Sequence, residues 1–281
     1  MKQVTKFAVP DAHFPAGMAT FFSSPVPVLT YHRVLPYKTS LSVTVDEFEQ
    51  QLLWLKKKGF HTLTSLEFQH ALSGEHEVRH GLVITFDDGY RDSWHLAAPL
   101  LRKYGMNALL FAITGRIKEG EPKPITDAWQ EEGDERYLSW QELREMVGSG
   151  IFEIHSHTHT HDFSWIQAPS EEARRMVQQD IATSVQTLRD RGYAHELHLA
   201  WPWGYFRKDW LDDLSSLGIR YSYTMRPGTN YPHCDTKTIM RLSGEMDVAN
   251  LELLCSAGSS PVYGKMLNGV SRIWGTARHK P

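Results

Sequence analysis

The chain has 281 residues, 41% apolar and 22% charged, with a net charge of −3. That is the composition of a folded globular protein, and it excludes a disordered chain, a collagen-like repeat and a broadly basic nucleic-acid binder. Its 15 histidines stand against two cysteines, Cys234 and Cys255, so a disulfide framework and a thiolate metal site are excluded and any metal must sit among nitrogen and oxygen ligands.

Residues 1–25 read as an N-terminal extension. Lys2 and Lys6 open it, but Pro10, Asp11, His13 and Pro15 interrupt any apolar signal-peptide core, and a cytoplasmic location is the expectation. No stretch reaches the roughly 18 apolar residues of a membrane span. From there strand and helix patterns alternate. The short apolar strands are Val26–Tyr31, Phe60–Leu63, Leu82–Phe86, Ala108–Ile113, Ile151–His155, Leu197–Trp201 and Tyr221–Met225. Between the first two, Val45, Phe48, Leu52 and Leu55 share one helical face, and Thr44 with Glu47 forms a capping box before them. Asp92–Tyr104, Ser139–Val147, Ser170–Arg191 and Asp209–Leu217 also carry the helical period, and glycines such as Gly59 and Gly105 follow where a helix should stop. Lys118–Arg136 is charged and reads as a loop over the strand ends. Seven strands alternating with helices predict a parallel α/β fold, as a closed barrel or as an open doubly wound sheet. In either, chemistry gathers at the C-terminal ends of the strands.

Three strand ends carry unusual side chains. The strand ending at Phe86 runs into Asp87-Asp88-Gly89. Two adjacent carboxylates repel each other. A metal held by one of them would offset that and leave the other as a base. A tight turn that caps the next helix is the alternative. The strand ending near His155 continues through Ser156-His157-Thr158-His159-Thr160-His161. Two imidazoles plus one carboxylate make a three-ligand site with open positions, while a surface histidine loop is the alternative. The third end is Ala200-Trp201-Pro202-Trp203-Gly204-Tyr205. Its rings suit either the apolar face of a sugar or core packing.

At these residues the chain resembles the polysaccharide deacetylases, the family-four carbohydrate esterases. Thr85-Phe86-Asp87-Asp88-Gly89 matches the family's first motif, and Ser156-His157-Thr158-His159-Thr160-His161 matches its His-Thr-x-x-His second motif. Tyr31-His32 and Trp201-Pro202-Trp203-Gly204 are similar to the branch that deacetylates poly-N-acetylglucosamine. The resemblance covers about Val26 to Leu242. It implies a single domain over residues 26–258, folded as a distorted barrel of about seven parallel strands. It implies a divalent metal ion, with zinc expected, held by Asp88, His157 and His161. Asp87 would be the general base, and the backbone N–H of Trp203 would help bind the oxyanion. Trp201, Tyr205 and His32 would meet an N-acetylated glycan, from which acetate is released. His155 and His159 offer an alternative ligand register.

The chain departs from the family in two places. Ala200 stands where many members carry an Arg that positions the catalytic Asp, and no Leu-x-His follows the last strand to supply the acid; Arg241-Leu242-Ser243 lies near its place. His32 is one candidate proton donor. These departures keep two rivals open: a non-catalytic glycan-binding barrel, and a deacylase or amidase of a small non-sugar amide. Residues 259–281 form a basic tail, with Lys265, Arg272, Arg278 and Lys280 and no acid. An amphipathic helix there would either touch the inner face of an anionic membrane or pack on the barrel.

Overall fold

The computed structural model describes residues 24–122, 124, 136–162, 164–193 and 196–278, the stretch 270–278 as backbone alone. The N-terminal extension up to residue 23, most of the Lys118–Arg136 segment and the side chains of Arg272, Arg278 and Lys280 lie outside the described residues. In chain order the elements are β1 (Val26–Tyr31), β2 (Arg33–Leu35), β3 (Ser42–Thr44), α1 (Val45–Lys57), β4 (His61–Thr62), α2 (Ser65–Ser73), β5 (Gly81–Phe86), α3 (Ala98–Tyr104), β6 (Ala108–Ala112), α4 (Trp140–Gly148), β7 (Phe152–Ser156), α5 (Ser164–Gln167), α6 (Ser170–Asp190), β8 (Leu199–Ala200), α7 (Lys208–Asp213), β9 (Ser222–Tyr223), β10 (Thr229–Asn230), β11 (Leu242–Ser243), α8 (Val248–Gly258) and α9 (Pro261–Arg278).

β1, β5, β6, β7, β8 and β9 pair in that order and all in parallel. The segment 239–243 then closes the ring. The Ile239 N–H donates to Ser222 O at 2.9 Å and Thr224 N–H to Ile239 O at 2.8 Å, while β11 pairs in parallel with β1 through Leu29 and Leu242. The result is the expected single distorted barrel of seven parallel strands, but not with the seven strands read from the sequence. The predicted Phe60–Leu63 strand shrinks to β4, which pairs only with the first two residues of β5. β11 takes its place as the seventh stave. It has no apolar run of its own to announce it; it pairs with β1, and Ile239 just before it bonds to β9. β10 lies antiparallel beside the start of β1.

Alternation along the strands divides the apolar residues into two layers. Val26, Val28, Val83, Leu109, Phe111, Ala200, Tyr223 and Ile239 point inward and pack on Phe68, Ala71 and Leu72 of α2, which plugs the N-terminal end of the barrel. Leu29, Tyr31, Ile84, Phe86, Leu110, Ile154 and Leu199 point outward beneath α1, α3, α4 and α6. Each fully buried Leu or Phe contributes about 1.5–3 kcal/mol, so the pattern strongly fixes which residues face the barrel axis. The Thr44–Glu47 capping box is present, with Glu47 N–H donating to Thr44 Oγ1 at 3.1 Å and Thr44 N–H to Glu47 Oε2 at 2.9 Å. The predicted helix at Asp92–Tyr104 begins instead with a π-helical turn at Ser93–Ala97.

The tail helix α9 forms despite its glycines. A Cβ at Gly264 would lie 2.7 Å from the Tyr231 hydroxyl, so glycine is what lets the helix approach the barrel. Asn268 clamps β10 from this helix, accepting from Thr229 N–H and donating to Thr229 O, both at 2.9 Å. No helix among the described residues is long and apolar enough to cross a membrane.

Candidate metal centre and active site

The inward face of β5 ends in Thr85 and then Asp87, whose backbone N–H still donates to Tyr31 O at 2.9 Å. The chain then turns through two left-handed residues, Asp88 (φ 72°) and Gly89 (φ 88°), so consecutive carboxylates face different partners. After β7, Thr158 (φ 64°) and His161 (φ 55°) are also left-handed, a strained conformation for non-glycine residues that persists only when its surroundings enforce it. Those surroundings are visible. Asp180 of α6 accepts from Thr160 N–H at 2.9 Å. Thr158 N–H donates to Ser156 Oγ, which meets Ser184 of α6 at 2.8 Å. On the other side, Thr114 and Gly115 N–H donate to Thr158 and His159 carbonyls.

These two turns bring Asp88, His157 and His161 together, with one ligand atom from each within 4.8 Å of the others. His157 Nε2 lies 3.4 Å and His161 Nε2 3.8 Å from Asp88 Oδ1. The donor set fits a cation. His157 Nδ1 is 2.8 Å from Ala200 O and donates to it, which leaves the Nε2 lone pair aimed at Asp88, as metal-binding histidines require. Burial would raise the Asp88 carboxyl, but the neighbouring imidazoles, His157 first, hold it well below the usual range. Burial, then the His157 charge, lowers His161 to about 4. Ionised carboxylate and neutral imidazole are the forms that bind metal. Neither alternative histidine joins the triad. His159 Nδ1 lies 3.0 Å from Thr114 Oγ1. His155 is inside the barrel, stacked on His198 at 4.7 Å, and burial pushes it down to about 3.

Asp87 sits beside the triad, 2% exposed. Arg241, immediately before β11, holds it with two parallel bonds, Nη1 to Oδ1 and Nη2 to Oδ2, both 2.8 Å. Arg241 Nε donates to Thr224 O at 2.9 Å, which fixes the guanidinium in turn. Burial would raise the Asp87 carboxyl, but Arg241, His157 and His32 keep it below the usual range. The arginine missing at Ala200 is thus replaced by Arg241, which reaches Asp87 from just before β11.

A second missed residue is Glu245. It accepts from His32 N–H at 2.8 Å and lies 2.9 Å from His32 Nδ1. Burial lowers His32, yet Glu245 and the Asp87 and Asp88 charges more than offset it and raise the imidazole to about 9. The loop carrying Glu245 is fixed by Gln51, which donates to the carbonyls of Gly244 and Met246. Gly244 has to be glycine, because a Cβ there would overlap the Tyr31 ring.

The aromatic segment needs correction. Trp201 is 0% exposed. As a β8 continuation its ring faces outward, donates through Nε1 to Ser222 Oγ at 3.1 Å and packs near Trp210, so it cannot meet a sugar. Tyr205 is half-buried and also packs towards Trp210 and Trp165. Trp203 alone reaches the mouth, 50% exposed, with its ring 4.1 Å from the His161 ring and its backbone left-handed at φ 54°.

Residues 76–222 match the polysaccharide deacetylase family profile. YxkH of Bacillus subtilis is 29% identical over 204 residues, which are 72% of this chain and 65% of YxkH, so the chain spans under two thirds of that relative. The poly-β-1,6-N-acetyl-D-glucosamine N-deacetylase of Staphylococcus aureus is 25% identical over 237 residues, 83% of this chain and 75% of that one. Among solved structures, IcaB of Ammonifex degensii superposes with a TM-score of 0.70 at 24% identity, covering 84% of this chain and 98% of IcaB. The matched region, the barrel and the two motif-bearing turns agree: the chain belongs to the polysaccharide deacetylase family.

Proposed function

We propose that the chain is a metal-dependent hydrolase that removes the N-acetyl group from an amino sugar of a polysaccharide or glycoconjugate and releases acetate. The observation that carries this reading is the placement of Asp87, ionised and gripped by Arg241, beside a separate Asp-His-His ligand set. A module that only bound sugar would need neither. The name of the Staphylococcus aureus relative supports an N-acetylglucosamine polymer as substrate.

Asp88, His157 and His161 would hold a divalent cation, zinc in this reading. Bound there, it would supply Lewis acidity, polarising the acetamide carbonyl and lowering the pKa of water towards ~7. Asp87 accepts the proton of the water that attacks the carbonyl carbon. Arg241 keeps Asp87 ionised and aimed. The Trp203 N–H donates to the oxyanion, and its exposed ring offers a face for the sugar. As the C–N bond breaks, protonated His32 donates to the leaving amine, and Glu245 stabilises the imidazolium beforehand. His32 is therefore a proton donor here, a role that fits its pairing better than substrate binding alone.

The test is acetate release from N-acetylglucosamine oligomers by the metal-loaded protein. Asp87→Asn should retain the metal and lose about 10²–10⁴ in kcat, the usual share of a general base. Full activity in that variant would remove Asp87 from the mechanism. Oligomer binding with neither metal nor acetate release would leave a glycan-binding barrel.

A further inference from the structure

Beside the triad is a cationic shelf that the reaction above does not use. Tyr90, just after the Asp88 turn, and Tyr137 form an antiparallel bridge, and their rings stack at 5.0 Å. Three guanidiniums crowd them. Arg33 is 4.8 Å from the Tyr90 centroid, Arg116 is 5.5 Å from that of Tyr137, and Arg136 is 5.3 Å from Tyr137 and 5.7 Å from Tyr90. Arg33 is neutralised by buried Asp92 at 2.8 Å. Among the described residues Arg116 and Arg136 have no carboxylate partner, and Arg136 Nε is buried without a hydrogen bond.

The shelf is built from the turns that carry the ligands. Ile113 N–H donates to Asp88 O and Gly115 N–H to His159 O, so Arg116 follows directly from a segment bound to both. Its charge is among those that depress His161, after burial and His157. Among the described residues nothing offsets the repulsion between these two guanidiniums, although a chain of net charge −3 has carboxylates to spare. The neutral acetamide has no use for them. Guanidinium forks match carboxylate and phosphate oxygens, and stacking on tyrosine holds them in place.

We infer that Arg116 and Arg136 form a subsite for an anionic substituent, a carboxylate or a phosphate, on the glycan whose acetamide is presented to Asp87. The inference deepens the deacetylase reading and rests on it. It is tested with metal-loaded protein and three probes: a neutral N-acetylglucosamine hexamer, a hexasaccharide alternating glucuronate with N-acetylglucosamine, and N-acetylglucosamine 1-phosphate. Arg116→Gln and Arg136→Gln should each lower the anionic-over-neutral ratio of kcat/KM at least tenfold, with the change in KM. Whichever anionic probe shows the larger loss identifies carboxylate or phosphate as the group bound. In parallel, calorimetry on Asp87→Asn protein should show the anionic probes binding tenfold tighter than the neutral hexamer at 50 mM salt, and losing that advantage at 500 mM as screening predicts. An unchanged ratio in both variants, or equal salt-insensitive binding of all three probes, overturns the subsite. If no probe releases acetate, the deacetylase reading fails, and calorimetry on the arginine variants still decides the subsite.

Discussion

His155 on the inward face of β7 and His157, one residue past the end of that strand, serve opposite purposes. His155 lies in the barrel interior, where Phe111 and His198 flank its ring and it accepts from the His198 N–H at 3.2 Å. Burial keeps it neutral. One layer towards the mouth, His157 meets Asp88 and is pinned by Ala200 O. One layer the other way, Glu153 accepts from the backbone and hydroxyl of Ser65 at the start of α2. The same strand face therefore carries a helix cap, a packed ring and a candidate metal ligand in succession. Side-chain type and period are shared by the two histidines; depth along the barrel axis separates them.

The sharpest way to break this contrast is to exchange the losses. His157→Ala should lower zinc affinity at least ~100-fold, beyond the usual effect of an outer-sphere partner, while His155→Gln and His159→Ala keep the metal. Metal content after dialysis reads this directly, and retention in His157→Ala would move the ligand register.

Arg241 reaches from the interior to the mouth, so its loss should disturb both. Arg241→Gln leaves Asp87 buried without its partner, which costs about 3–5 kcal/mol. Urea unfolding would show it. Adding Asp87→Asn should recover much of that stability, because the double variant strands no charge. Strict additivity would mean that the two residues do not act as a pair.

The smallest effect concerns His32. A pKa near 9 means that the donor proton is retained up to about that pH, so kcat/KM should fall only as pH rises through it. Glu245→Gln removes the main cause that raises the imidazole and leaves only the Asp87 and Asp88 charges to oppose burial. The alkaline limb should move to lower pH. A limb that stays in place would exclude His32 as the donor.

Much of the mouth was legible in the sequence because its key residues are near neighbours. Asp87 and Asp88 follow one strand, His157 and His161 one loop, and period-two alternation indicates which side chains look inward. Arg241 and Glu245 were not legible as partners of Asp87 and His32. They lie more than 150 and 200 residues away, respectively, next to a two-residue strand with no apolar pattern. The aromatic cluster was misread for a related reason. Trp201 and Trp203 share composition and neighbourhood, but strand geometry turns one outward into the core and a left-handed turn carries the other to the surface.

By itself, the amino-acid sequence determined the parallel α/β class, the turn chemistry at two strand ends and a candidate nitrogen-and-oxygen ligand set, all governed by interactions within a few residues. Only the tertiary structure decided how the ring closes, which arginine grips Asp87, which carboxylate charges His32 and which tryptophan reaches solvent. Those outcomes depend on strands meeting across the barrel, and no local propensity encodes a partner brought close by closure of the whole sheet.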